Sequence, residues 1–283
     1  MNANEVTLLW ADEYSRLAEP YDRVVTPRFE PIARFVADAA SPRPGEQFLD
    51  LGTGTGLLAR ILAPRVLPQT VVAIDLADNS ISVGSYRAGD SALRNIRFEM
   101  MDARNIVYRG RLFDGVVSNF GIPSFGADRT FSESFRVLRP EGRFVFSEWD
   151  AEPAQGSGLL LRLTAKYGTD RPSKELTLAR EAHRLAASSE EVEAMGRPPA
   201  VRDALESAGF ERVEVLTKAF PARFATVADF LAFEACWGHT ERELAEMPAD
   251  SRAALEEELG RSLMGPDGID ELWQIHVYVA RSE

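Results

Sequence analysis

A chain of 283 residues, 45% of them hydrophobic, can bury a large core as one elaborated domain, and its single cysteine, Cys236, excludes an intrachain disulfide or a cysteine-rich metal site. A formal net charge of −12, from 32 Lys+Arg against 44 Asp+Glu spread along the chain, sets the surface against polyanions, so no nucleic-acid partner is expected. The start, "MNANEVTLLWADEY", lacks the basic and apolar regions of a secretory signal, and no apolar run nears the roughly 20 residues of a membrane span, so a soluble cytoplasmic protein without membrane contact is expected.

Taken in chain order, residues 1–44 precede the first strand and carry Trp10, Tyr14 and Tyr21. From 45 to 150, short apolar runs alternate with helical patterns, the mark of βαβ units. The strands are "QFLDL" (47–51), "VVAID" (71–75), "IRFEMM" (96–101), "LFDGVVSN" (112–119) and "RFVFSEW" (143–149). Between them, "GLLARILA" (56–63) reads as a helix that Pro64 ends, and Phe131, Phe135 and Leu138 stripe another that Pro140 and Gly142 stop.

After Trp149 the rhythm changes. Order returns near 199–217 with a helix, a glycine stop at Gly209 and a strand, and the chain closes on "WQIHVYVA" (273–280). The stretches 151–198 and 225–272 read as helical insertions, with Thr226 as the cap of "VADFLAFEACWGHTERELAEM". In open α/β sheets ligands sit beyond the carboxyl ends of the strands, so the insertions in 151–283 read as a cap over that edge rather than as a separate domain.

Gly52, Gly54 and Gly56 in "FLDLGTGTGLLAR" raise the prospect of a dinucleotide, but that fingerprint is G-x-G-x-x-G and the residue at its third position is Leu57. Asp50, two residues before the first glycine, would meet a pyrophosphate with like charge. Asp75, closing the second strand, suits paired ribose hydroxyls, and Asp102 suits an adenine amine, with Leu76 and Ala103 as apolar neighbours. Together they describe a ribonucleoside without phosphates and with a cationic or zwitterionic tail.

The ordered segments "FLDLGTGTG", "VVAIDLA", "FEMMDA", "FDGVVSNFGI" and "RVLRPEGRFVFSEW" resemble the successive motifs of the class I S-adenosylmethionine-dependent methyltransferases, above all the quinone-biosynthesis and natural-product branch. The resemblance covers about residues 45–150 well and the last two strands more loosely. It implies a Rossmann-like, doubly wound α/β fold whose seven-stranded sheet runs 3-2-1-4-5-7-6 with strand seven antiparallel. It also implies S-adenosyl-L-methionine as cofactor, with Asp50, Gly52, Thr53 and Gly54 at its methionine end, Asp75 and Leu76 at the ribose, and Asp102 and Ala103 at the adenine. Ser118 and Asn119 would border the sulfonium, and Trp10, Tyr14 and Tyr21 would belong to an N-terminal helical lid. One departure is Pro140-Glu141-Gly142, where the family usually reads P-G-G.

Methyl transfer from a sulfonium leaves a neutral thioether, so the protein chiefly aligns the acceptor, and a base is needed only for some acceptors. Of the three histidines, His239 and His276 rank ahead of His183 for that role, and no metal site is expected. The expected activity is O- or C-methylation of a small molecule, a secondary metabolite. The alternatives are a non-methylating reaction such as a cyclisation on the same cofactor site, since fold does not fix function, and a nicotinamide oxidoreductase, which Leu57 and Asp50 disfavour. The acceptor and the oligomeric state have no signature in the sequence.

Overall fold

The apolar runs become adjacent strands because each can bury both faces under helices. In the computed structural model, which describes residues 1–282, β1 (Phe48–Leu51), β2 (Val71–Asp75), β3 (Ile96–Met100), β4 (Phe113–Asn119) and β5 (Leu138–Trp149) are parallel. Alternate residues feed two cores. Phe48, Val71, Ala73 and Val117 enter one, with Phe29, Ile32 and Val36 of α3 (Thr26–Ala40) and Leu58 and Leu62 of α4 (Leu57–Leu62). Leu49, Leu51, Val72 and Ile74 enter the other, with Phe131 of α6 (Ala127–Val137) and Val201 and Leu205 of α10 (Pro198–Ser207).

The order is β3-β2-β1-β4-β5-β8-β6, where β6 is Arg212–Phe224 and β8 is Gly268–Arg281. β8 runs antiparallel to both neighbours. This is the expected seven-strand order with one addition, the two-residue β7 (Met264–Gly265), which pairs only with β8. Strand order reverses at β1 and β4, which places a crevice at their carboxyl ends.

The last strands are longer than the sequence pattern suggests. β5 pairs with β8 only as far as Trp149 opposite Ile275, whereas β6 continues to Phe224 opposite Ile269. The β6–β8 ribbon therefore projects beyond the parallel strands. Its Phe220, Phe224, Ile269 and Trp273 share a core with α7 (Gln155–Tyr167), α11 (Val227–Glu234) and α13 (Ala249–Leu263), through residues such as Leu160, Phe230 and Leu255. Pro221 is tolerated because β6 is an edge strand whose second side needs no donor. The remaining cap helices are α8 (Lys174–Ala187), α9 (Glu190–Met195) and α12 (Gly238–Glu246).

Thr226 caps α11, its hydroxyl accepting the Asp229 N–H at 3.0 Å. The single helix expected to follow breaks at residues 235–237, and α12 restarts at Gly238, where a Cβ would lie 2.6 Å from Glu13. That Glu13 belongs to α1 (Ala3–Arg16), which Asn2 and Glu5 close with a capping box; α2 (Ala18–Val24) and α5 (Asp78–Asp90) complete the helices.

In the turn inside β5, Glu141 adopts φ +63° and is exposed. A left-handed residue with a Cβ carries a steric cost of roughly 1–2 kcal/mol, partly offset by the lower chain entropy it brings to the unfolded state. Glu141→Gly is expected to raise stability by about 0.5–1 kcal/mol in urea unfolding, with an unchanged m-value.

Candidate active site at the switch point of the sheet

A cleft of about 400 Å³ opens at the crevice between β1 and β4. Its floor is the loop after β1, where Gly52, Gly54 and Gly56 all have positive φ, at +57°, +54° and +79°. A Cβ on Gly52 would stand 2.5 Å from the Gly121 backbone, so the loops after β1 and β4 touch main chain to main chain. A Cβ on Gly54 would meet nothing within 4 Å. The loop is open to the cleft at that point.

Gly52, Gly54, Asp75, Leu76, Asp102, Ala103 and Asn119 line the cleft. Asp75 accepts the Gly54 N–H at 2.7 Å and the Ala77 N–H at 2.9 Å, and burial still raises its pKa above the usual carboxylate range. Asp102 holds Arg104 at 2.8 Å, and Arg104 reaches Asn4 and Thr7 of α1 at 3.1 and 3.3 Å. Burial works to raise the Asp102 pKa, but the hydrogen bonds and charge of Arg104 outweigh it and hold the group below its usual value.

Asp50, Thr53 and Ser118 lie beneath the loop rather than on the cleft wall. Asp50 is 1% exposed; its Oδ2 accepts Thr53 Oγ1 at 2.6 Å and the Ala59 N–H at 3.1 Å, while Oδ1 has no partner. Burial pushes its pKa up to about 7 against those two bonds. Ser118 donates to the Leu51 carbonyl at 2.8 Å and accepts the Gly121 N–H at 3.1 Å, tying the two loops together. Alternation along a strand explains the placement, since the last residues of β1 and β4 also carry core contacts.

The opposite wall is aromatic. Phe120 stacks on Trp149 with centroids 4.7 Å apart, and the buried Phe29 touches both, at 4.9 and 5.8 Å, and Trp237 at 6.3 Å. Trp10, Tyr14 and Tyr21 face the same space from α1 and α2. Tyr14 is 43% exposed, and that surface contributes to the cleft wall. Glu13, also on the wall, is buried and bridges Arg16 and Arg242, while Arg16 reaches Glu241 at 2.6 Å. α1 is thereby clasped to α12.

Two of the three histidines meet overhead. His183 and His239 stack 4.3 Å apart at 10°, both on the wall. Burial lowers both, and with the neighbouring charge of His183 it takes His239 down to about 4, although Glu243 stands 3.7 Å away; Glu243 is engaged by Arg180 at 2.6 Å. Both imidazoles are therefore neutral near pH 7. His276 does not line the cleft: it is buried on β8 between Thr217 and Asp150, each at 2.9 Å. The bare spacing of His183 gave no hint of its stack. Glu148, at the carboxyl end of β5 next to Trp149, stands where such sheets place functional groups, and that position is the signal the sequence offers for it. Among the described residues, no group of three or more His, Cys, Asp or Glu is arranged to hold a metal, and no helix is long and apolar enough to cross a membrane.

Residues 48–142 match a family described as "Methyltransferase domain". Nocamycin O-methyltransferase of Saccharothrix syringae is 29% identical over 253 residues, 88% of this chain and 89% of that one. The demethylmenaquinone methyltransferase of Thermus thermophilus is 31% identical over 186 residues, 65% of this chain and 83% of that one. Among solved structures, the YcgJ protein of Bacillus subtilis has a TM-score of 0.57 at 15% identity, covering 89% of this chain and 97% of its own, which shows a shared fold. The failed dinucleotide spacing, the acid at each strand end and these likenesses agree: the chain belongs to the class I S-adenosylmethionine-dependent methyltransferases, and S-adenosylmethionine is its cofactor.

Proposed function

We propose that the protein methylates an oxygen or carbon of a small, planar, largely apolar metabolite held against the Phe120–Trp149 wall. The observation that carries this reading is the division of one cleft into a nucleoside side of glycines and carboxylates and an acceptor side of stacked aromatics under two neutral imidazoles. The similarity to nocamycin O-methyltransferase extends through the cap as well as the sheet, which supports O-methylation of a natural product.

The residues fit the cofactor. The unpartnered Oδ1 of Asp50 leaves an uncompensated acceptor beneath the loop, which favours a cationic group such as a methionine ammonium above it, and the space at Gly54 admits a ligand against bare backbone. Asp75, beside the Gly54 and Ala77 N–H groups, would face the ribose hydroxyls, and Asp102, beside Arg104, would face the adenine amine. The bound cofactor supplies an electrophilic methyl group. The aromatic wall orients the acceptor and excludes water, with Trp10, Tyr14 and Tyr21 closing the cleft from the lid. His239 accepts the hydrogen bond of an acceptor hydroxyl and takes its proton. A hydroxyl that gains a methyl before losing its proton is an oxonium, acidic enough to protonate even a weakly basic imidazole.

With a panel of phenolic and enolic acceptors, methylated product should gain one CH2 in mass while S-adenosylhomocysteine is released; conversion without that gain would indicate a non-methylating reaction. His239→Ala should lower kcat on a hydroxyl acceptor by about 10²-fold or more with cofactor affinity intact, and unchanged turnover would remove His239 from the base role.

Asp50 predicts a pH dependence of cofactor binding. Its pKa near 7 in the free protein means that an arriving ammonium, which favours the carboxylate, must expel a proton below that pH. S-adenosylhomocysteine should therefore bind more tightly as pH rises from 6 to 8, by up to about tenfold, and level off above. Asp50→Asn should flatten the profile; a wild-type profile that is already flat would contradict the assignment.

A further inference from the structure

A second recess, of about 280 Å³, adjoins the cleft. Ile122, Ser124 and Trp149 line both spaces and so form the boundary between them. Beyond it the recess has the apolar sides of Val192 and Met195 and two carboxylates, Glu148 and Asp150. None of its lining residues is Lys, Arg or His, and its third acid, Glu193, faces Arg197 at 3.4 Å.

The sheet explains why these groups meet. Phe146 lies opposite Tyr278 and Glu148 opposite His276, and with a period of two all four share one face of β5 and β8. Asp150 is fixed on both sides, by His276 at Oδ2 and by the Glu152 N–H at Oδ1, each at 2.9 Å, while Thr217 holds the far nitrogen of His276. His276 is thus a positioning residue for Asp150. Glu148 has one hydrogen-bond donor among the described residues, the Trp149 N–H at 2.9 Å, and burial pushes its pKa up to about 7. On the same face the fully buried Tyr278 hydroxyl has no hydrogen-bond partner; after burial itself, the charges of Glu148 and Asp150 are what raise its pKa. Tyr278 lies behind the recess wall, and the two carboxylates that do line it, Glu148 and Asp150, have fewer donors than they can accept.

We propose that this recess is a specificity subsite for an aliphatic ammonium substituent of the acceptor, its alkyl stem lying between Ile122, Val192 and Met195 and its head at Glu148 and Asp150. The assignment rests on the reading of the main cleft as the place of methyl transfer. An ammonium brings three donors and a charge to Glu148, which forms no ion pair among the described residues, and to Asp150, whose one basic neighbour, His276, lies off the recess wall, whereas a neutral hydroxyl would bring one donor. The shared Trp149 lets the acceptor's ring stack in the cleft while its side arm enters the recess.

The test compares tyramine with 4-propylphenol, which share the phenol and the length of side arm and differ in the ammonium. Each is titrated by calorimetry into the full chain saturated with S-adenosylhomocysteine. The wild type should prefer tyramine by on the order of tenfold, and Glu148→Gln and Asp150→Asn should each remove most of that preference while binding S-adenosylhomocysteine as the wild type does. Equal binding of the two phenols, or a preference that survives Glu148→Gln, would overturn the subsite and leave the cleft reading standing. Failure of S-adenosylhomocysteine itself to bind the wild type would overturn both.

Discussion

The contact on which the site depends is the one between Gly52 and Gly121. Each glycine occupies space in which a Cβ would lie about 2.5 Å from the other's backbone or its neighbour's, and Ser118 bonds to both loops from beneath. The first loop carries Gly52 and Gly54 of the cleft floor and the second carries Phe120 and Ile122, after Asn119 at the end of β4. Their separation is therefore set by main chain rather than by adaptable side chains. For an in-line transfer, in which small misplacement of the reacting atoms is costly, that rigidity is what the fold contributes.

A floor alone would leave the cleft open to water. The roof depends on β8 running against its neighbours, because only an antiparallel strand at that place can enter the sheet from beyond its carboxyl edge. The projecting ribbon carries the cap helices on a core continuous with that of the sheet, and the cap presents His183, Trp237 and His239 downward. From the other side α1 is joined to the cap through Glu13, Arg16, Arg242 and Glu241, and to the nucleoside side through Arg104 and Asp102. Exposed ion pairs contribute little, but Glu13 is buried, and removing a partner from a buried charge is costly. α1 is thereby linked to the carboxylate proposed to face the adenine.

The parallel half of the sheet is legible because its residues obey simple patterns: a continuous apolar run in β2, an apolar stripe in α6, glycines where the chain must turn. Asp75, Asp102 and Asn119 could be placed for the same reason, since a residue at a strand's carboxyl end in this topology borders the crevice. What the pattern hid was direction and partnership. Asp50 and Ser118 stand at the right end of their strands but turn under the loop that carries Thr53, which depends on hydrogen bonds to Ala59, Leu51 and Gly121. β6 and β8 run past their apolar sequence patterns, and an edge strand and a ribbon projecting into the cap accommodate Pro221, Asp270 and Glu271, which resemble loop chemistry. His276 proved to be a partner of Asp150 rather than a wall of the cleft, and the stack of His183 on His239 joins segments far apart in the chain, which no local spacing reveals.

The most direct test of the account is a crystal structure of the protein with S-adenosylhomocysteine. The ribose hydroxyls should bond to Asp75, the adenine should lie beside Asp102 and Ala103, and the sulfur should face the Phe120–Trp149 wall. A ligand bound elsewhere, or one whose ribose leaves Asp75 without a bond while its sulfur points away from that wall, would contradict it.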